Sequence, residues 1–157
     1  LLELRPATLI EVEIGELLRQ LTEAVTGRAR IPIELEANDA CRLPPDVKIA
    51  FYHIAQEALN NVVKHAKARK VDVRLCRSPG LRSQQAGHHL AARLEVCDDG
   101  IGFDPELIPT DRLGLGIIQE RAGAIAAELH IETAPGLGTR ISVGWSSPAE
   151  PSGKQAA

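Results

Sequence analysis

The run Phe51-Tyr52-His53-Ile54-Ala55-Gln56-Glu57-Ala58-Leu59-Asn60-Asn61-Val62-Val63-Lys64-His65-Ala66 decides how this chain is read. Wound at 100° per residue, Phe51, Tyr52, Ala55, Ala58, Leu59, Val62 and Val63 fall on one face. His53, Glu57, Asn60, Asn61 and Lys64 gather on the other, with His65 at its margin. This pattern predicts a long helix over about 47–68, with Asp46 as a possible N-cap after the turn Arg42-Leu43-Pro44-Pro45. Glu57, Asn61 and Lys64 stand at i, i+4 and i+7, so they project from adjacent turns in one direction. A carboxylate, an amide oxygen and an ammonium so aligned suit a metal-bound polyphosphate: the amide offers Mg²⁺ a hard oxygen and the lysine neutralises phosphate. A solvated helix face with an incidental ion pair is the plain alternative.

Outward from this helix, the chain alternates short strands with turns. Before it, 31–36 alternates apolar and polar residues and predicts a strand. Residues 1 to about 27 read as a helical tail and, beyond Pro6, a second helix in which Leu9, Ile10, Ile14, Leu17, Leu18, Leu21 and Val25 recur near helical spacing and which stops near Gly27. After it, Val71, Val73 and Leu75 alternate with Asp72, Arg74 and Cys76, and a polar loop over 77–89 leads to a second strand ending at Asp98-Asp99-Gly100. A breaker-rich stretch, 100–113, precedes a helix expected over 115–129. Two strands, 130–133 and 139–145, then flank the turn Ala134-Pro135-Gly136-Leu137-Gly138. From Ser146 the composition turns to Pro, Ser, Gly and Ala, and a disordered tail is expected.

Two further segments carry chemistry. Asp98-Asp99-Gly100-Ile101-Gly102-Phe103 ends a strand, where an aspartate can accept a hydrogen bond from an exocyclic amine; a simple strand-end turn reads equally well. Gly114-Leu115-Gly116 opens a helix, whose free N–H groups can receive an anion, although a flexible loop before a helix would look the same.

The 157 residues include 18 Lys plus Arg against 21 Asp plus Glu, a net charge of −3. This balance lacks the basic excess a phosphate-neutralising nucleic-acid binder needs, and four aromatic residues make base-stacking platforms improbable. No apolar run approaches the roughly 18 residues of a membrane span. Three cysteines without CxxC spacing fit a reducing compartment better than a disulfide framework or zinc site. A cytoplasmic, single-domain segment is expected.

Taken in order, the helix run, Asp98 to Pro105, Gly114-Leu115-Gly116 with Glu120-Arg121, and Gly138-Thr139 resemble the ATP-binding catalytic domain of sensor histidine kinases. This is a branch of the GHKL superfamily that also holds gyrase, Hsp90 and MutL. The closest resemblance is to the subclass of the nitrate/nitrite sensors, whose "LRP" stretch is matched by Leu4-Arg5-Pro6. The resemblance implies a Bergerat-type α/β two-layer sandwich, a mixed sheet with helices on one face. It implies 1–27 as the end of the dimerisation-helix linker and first helix, 28–146 as the catalytic domain, and 147–157 as a flexible tail.

ATP and Mg²⁺ are the implied ligands. Asn61 matches the Mg²⁺-binding asparagine, and Glu57 the residue that orients or deprotonates the attacking group. Lys64 and His65 match the phosphate end of that box. Asp98 matches the aspartate that binds the adenine amine, beside Gly100 and Gly102. Gly114, Leu115 and Gly116 match the box under the phosphates, and Thr139 a threonine that helps hold adenine. Residues 103–113 match a short ATP lid. Ala126-Ala127 departs from the pattern, standing where glycines are common. None of the five histidines is followed by an acidic residue, as the family's phosphoacceptor is. The implied partners are therefore separate dimerisation helices bearing that histidine and, downstream, a response regulator; the parent protein could be membrane-anchored. An ATPase or serine kinase of the same superfamily, or a non-catalytic nucleotide sensor, is the alternative.

Overall fold

A computed structural model of the chain describes residues 5–38, 41–77, 88–107 and 114–148. Helices α1 (Pro6–Glu11) and α2 (Ile14–Ala29) lead into strand β1 (Ile33–Ala37), then helix α3 (Pro45–Asn61), which widens into a π-helical turn (Val62–Ala66). Strands β2 (Val71–Arg77) and β3 (His88–Asp98), helix α4 (Leu115–Ala124), and strands β4 (Glu128–Thr133) and β5 (Thr139–Pro148) complete the order. The sheet runs β1-β2-β3-β5-β4, parallel between β1 and β2 and antiparallel elsewhere. It is the mixed, one-side-covered sheet expected from the sequence.

The sheet's inner face is built in rows. Val73, Val96, Ile141 and Ile131 form one rung, and Leu75, Leu94, Val143 and Leu129 the next. Against them α3 buries Val47, Phe51, Ile54, Ala55, Ala58 and Leu59, an apolar stripe at helical spacing. At the end of the same face, Val71, Asp98, Thr139 and Thr133 make a rung with three polar members. The alternation that hides the core thus brings those polar side chains to its rim. On the outer face stand charged pairs such as Lys70–Glu34 at 3.1 Å and Arg74–Glu36 at 3.5 Å.

α2 buries Ile14, Leu17, Leu18, Leu21 and Val25, so its apolar stripe is satisfied within this domain. Lys48, itself buried, ties the first helices down: its Nζ donates to the Ile10 carbonyl at 2.6 Å and the Val12 carbonyl at 2.9 Å. These carbonyls lie at the end of a short helix, where main-chain acceptors lack intrahelical donors.

Several expected boundaries shift. The break expected at Pro6 falls instead where Val12 turns extended at ψ 137°, so the helix expected to carry Leu9 through Val25 is two. α2 runs past Gly27 and ends at Arg30, which takes up the left-handed conformation at φ 56°. The N-cap of α3 is Pro44 rather than Asp46; Asp46 lies in the first turn, where its charge meets the positive end of the helix dipole. The helix expected to reach Ala68 stops being α-helical after Asn61. α4 ends at Ala124 instead of Leu129, which belongs to β4. Its end is a Schellman motif: Ala127 N donates to Ala122 O at 2.9 Å and Ala126 N to Gly123 O at 3.1 Å, with Ala126 at φ 52°. β5 continues to Pro148, pairing back to His88, so Ser146 and Ser147 are strand residues and not tail. Residues 149–157 of the expected tail, and 108–113 of the expected lid, lie outside the described residues.

Candidate ATP-binding site

A cavity of about 240 Å³ opens between the end of α3 with its π turn, the rim of the sheet, and the start of α4. Its lining brings together Asn61 and His65 from the helix side, Asp98 and Thr139 from the strands, Gly102 from the loop after β3, and Leu115 from α4. The wall between these groups is apolar: Ala58, Val62, Val96, Ile101, Phe103 and Ile141. An apolar slot with a few converging polar atoms is the form small-molecule sites take, and its flat apolar flanks suit a purine.

The two adjacent aspartates divide their work. Asp98 points inward, in phase with Val96, and its Oδ1 accepts the Gly100 N–H at 2.8 Å. Burial holds its carboxyl above the ordinary aspartate range, against the lowering effect of that N–H. Asp99 points outward. Its Oδ1 accepts the Arg69 and Lys70 N–H groups at 2.8 and 3.0 Å, which hold its carboxyl below the usual range. Asp99 therefore pins the chain reversal between the π turn and β2, and Asp98 faces the cavity.

The loop after β3 is drawn tight against its neighbours. Ile101 N donates to Ala66 O at 2.7 Å, and Gly136 N to Ile101 O at 2.6 Å. Gly100, buried, lies behind the cavity wall. A side chain at its position would run into the Ala66 carbonyl. Gly102, at φ 59°, is pressed against the Ala134 carbonyl, a place only glycine fills without strain.

The remaining expected residues are placed as follows. Gly114, left-handed at φ 67°, is the N-cap of α4 and packs on Glu57: a methyl group there would stand 3.1 Å from Glu57 Oε1. Glu57 thus lies beside the start of α4, outside the cavity lining. Lys64 is exposed on the π turn and also outside the lining, as is Gly116. The π turn accounts for Lys64: its wider coil advances each residue through a smaller angle, so the in-line projection expected of 57, 61 and 64 does not persist past Asn61.

Sequence reading missed Thr133, and it placed Phe103 in the motif after β3 and at the start of the lid without giving it a place in the cavity wall. Thr133 Oγ1 accepts the Phe103 N–H at 3.1 Å and lies 3.1 Å from Gly138 O and 3.0 Å from Thr139 Oγ1. Its place was available from the period-two count along β4, which puts Ile131 and Thr133 on one face.

Among the described residues, no group of three or more His, Cys, Asp or Glu is arranged to hold a metal ion. Asn61 and Asp98 both bring oxygen donors to the cavity, and an amide oxygen such as that of Asn61 suits an ion that keeps most of its shell as water and ligand oxygens.

Residues 46–149 match the family profile described as histidine kinase-, DNA gyrase B-, and HSP90-like ATPase. The chain belongs to this family. Within it, the chain is the ATP-binding catalytic domain of a two-component sensor histidine kinase. It is 34% identical over 143 residues to the sensor histidine kinase LiaS of Bacillus subtilis, covering 91% of this chain and 37% of LiaS. To the sensor protein VraS of Staphylococcus saprophyticus it is 30% identical over 144 residues, covering 91% of this chain and 38% of VraS. The chain thus spans less than two fifths of these relatives. In fold it is similar to the ATP binding domain of PrrB from Mycobacterium tuberculosis, with a TM-score of 0.63, 20% identity, and coverage of 87% and 96% of the two chains. It is also similar to the blue-light activated histidine kinase of Erythrobacter litoralis, with a TM-score of 0.66, 20% identity, and coverage of 89% and 43%.

Proposed function

We propose that this domain transfers the γ-phosphate of ATP to a histidine on a separate pair of dimerisation helices, from which a response regulator is then served. The observation that carries the reading is that Asp98 and Asn61, distant in sequence and on different elements, line one cavity. Asp98 accepts from the adenine amine, Thr139 supports the base, and the apolar wall from Val96 to Phe103 sandwiches the ring. At the other end Asn61 holds Mg²⁺, which when bound supplies positive charge to the phosphate oxygens. His65 faces that end of the cavity, Lys64 approaches from solvent, and Gly114, Leu115 and Gly116 present the N–H groups of the α4 start. Glu57, one turn before Asn61, orients the attacking imidazole and takes up its proton. Phosphoryl transfer asks for little more than such positioning and charge neutralisation. The nitrate/nitrite-sensor-like subclass is part of this proposal, supported by the Leu4-Arg5-Pro6 run and the short stretch between Phe103 and Gly114. So is a cytoplasmic location, supported by the ATP the proposal requires and by Cys41, Cys76 and Cys97 standing as free thiols.

The test mixes the domain with ATP, Mg²⁺ and a dimeric helical hairpin carrying a His followed by an acidic residue. Acid-labile phosphate on that partner is expected, and Asn61→Ala should lower its rate by roughly a hundredfold or more, the scale of losing a group that stabilises the transferring phosphoryl. Steady phosphate release without the partner, and none on it, would favour the ATPase alternative.

A further inference from the structure

Thr133 is the outermost member of the rung that carries Asp98 and Thr139, and it is not itself among the residues lining the cavity. Its hydroxyl has a full set of partners. A hydroxyl carries one proton and two lone pairs. One lone pair of Thr133 Oγ1 receives the Phe103 N–H at 3.1 Å, since an amide can only donate. Gly138 O, at 3.1 Å, can only accept, so it takes the single proton of Thr133. The contact to Thr139 Oγ1 at 3.0 Å then has one consistent direction: Thr139 donates and Thr133 accepts. Thr139 has thereby spent its proton on the protein. What it offers the cavity it lines is lone pairs alone.

We infer that Thr133 is a specificity-determining residue: by fixing the Thr139 proton away from the cavity, it makes Thr139 a second acceptor beside Asp98 and selects purines with an amino group at position 6 over those with a carbonyl oxygen. The inference rests on the proposal that Asp98 and Thr139 hold the base. If Thr133 could not take the Thr139 proton, that hydroxyl would be free to turn and donate to a 6-oxo group. The arrangement also joins the start of the lid, through Phe103, to the turn before β5, through Gly138, so the proton's direction is set by three elements at once.

The experiment measures affinities of the domain for ATP and for inosine triphosphate, which carries the oxygen in place of the amine, by displacement of a fluorescent ATP analogue. Thr133→Val keeps the side-chain shape and removes the hydroxyl. It should reduce the preference for ATP over inosine triphosphate by about tenfold, on the order of one hydrogen bond. Thr133→Ser should retain the wild-type preference within about twofold. Thr133→Cys, a weaker donor and acceptor, should shift it in the same direction as valine and serves where valine does not fold. Equal loss of affinity for both nucleotides in the Val or Cys variant would mark a merely structural role and overturn the inference. Thr139→Val separates the two levels. If it lowers ATP affinity while Thr133→Val leaves the preference unchanged, base contact by Thr139 stands and the role of Thr133 falls. If Thr139→Val changes neither affinity nor preference, the base contact itself is wrong and the inference goes with it.

Discussion

At the scale of single residues, the role proposed for Asp98 is set against stability. Its carboxyl is held above the ordinary range by burial, so the folded chain takes up a proton there at a pH where the unfolded chain has already lost it. Stability from this group is therefore fully present below the ordinary aspartate pKa and is lost as pH rises from there through the raised value. At neutral pH the charged carboxylate costs the apo fold something, and that charge is what an exocyclic amine would meet. Asp98→Asn keeps an oxygen for the Gly100 N–H but no charge. The expected outcome at pH 7 is a higher Tm than wild type together with loss of ATP binding, read by thermal melts and nucleotide titration. Asp99 behaves oppositely: two N–H donors hold its carboxyl low, so its contribution is present above the ordinary aspartate pKa and disappears as pH falls through the lowered value. Two neighbouring aspartates look alike in sequence, and only the strand phase, Val96 in and Cys97 out, tells which one faces the cavity.

At the scale of elements, the helix ends decide most. Ala126 occupies the left-handed position of the Schellman motif closing α4, at φ 52°. Left-handed conformation costs an L-residue roughly 1–2 kcal/mol, partly offset by the smaller unfolded-state entropy of alanine over glycine. Ala126→Gly is expected to stabilise the domain by about 0.5–1 kcal/mol in urea unfolding, leaving nucleotide affinity unchanged. The sequence carried the type and order of the helices and strands described, because periods of 3.6 and 2 are written in the apolar residues themselves. The boundaries were harder for definite reasons. An alanine gives no sign of a left-handed cap, and nothing in Val62-Val63-Lys64-His65-Ala66 marks a π turn. The break between α1 and α2 falls at Val12-Glu13, where no glycine or proline announces it. Ser146-Ser147-Pro148 reads as linker because its pairing is dictated by β3, ten strand positions of hydrogen bonding that local composition does not encode.

At the scale of the whole molecule, one layer of helices covers one face of the sheet, and the cavity lies where both layers run out. Of the expected site, Asn61 on α3, Asp98 at the end of β3 and Thr139 at the start of β5 reach the cavity, whereas Glu57, equally on α3, does not line it. The wall residues were not legible, since Val96 and Ile141 are indistinguishable in sequence from core. A ligand bound across both layers should tie them together. ATP with Mg²⁺ at a hundred times its Kd is expected to add about 2.7 kcal/mol, a Tm rise of roughly 5–10 °C in scanning calorimetry. The Asp98→Asn variant should show no such rise. The two proposed grips on the nucleotide also differ in their setting. The rung of Asp98 and Thr139 is stitched into β3 and β5, each flanked by strands on both sides, whereas Asn61 stands at the junction with a widened, slacker coil. If the proposed site holds the nucleotide, its ring end is therefore expected to be the firmer of the two holds.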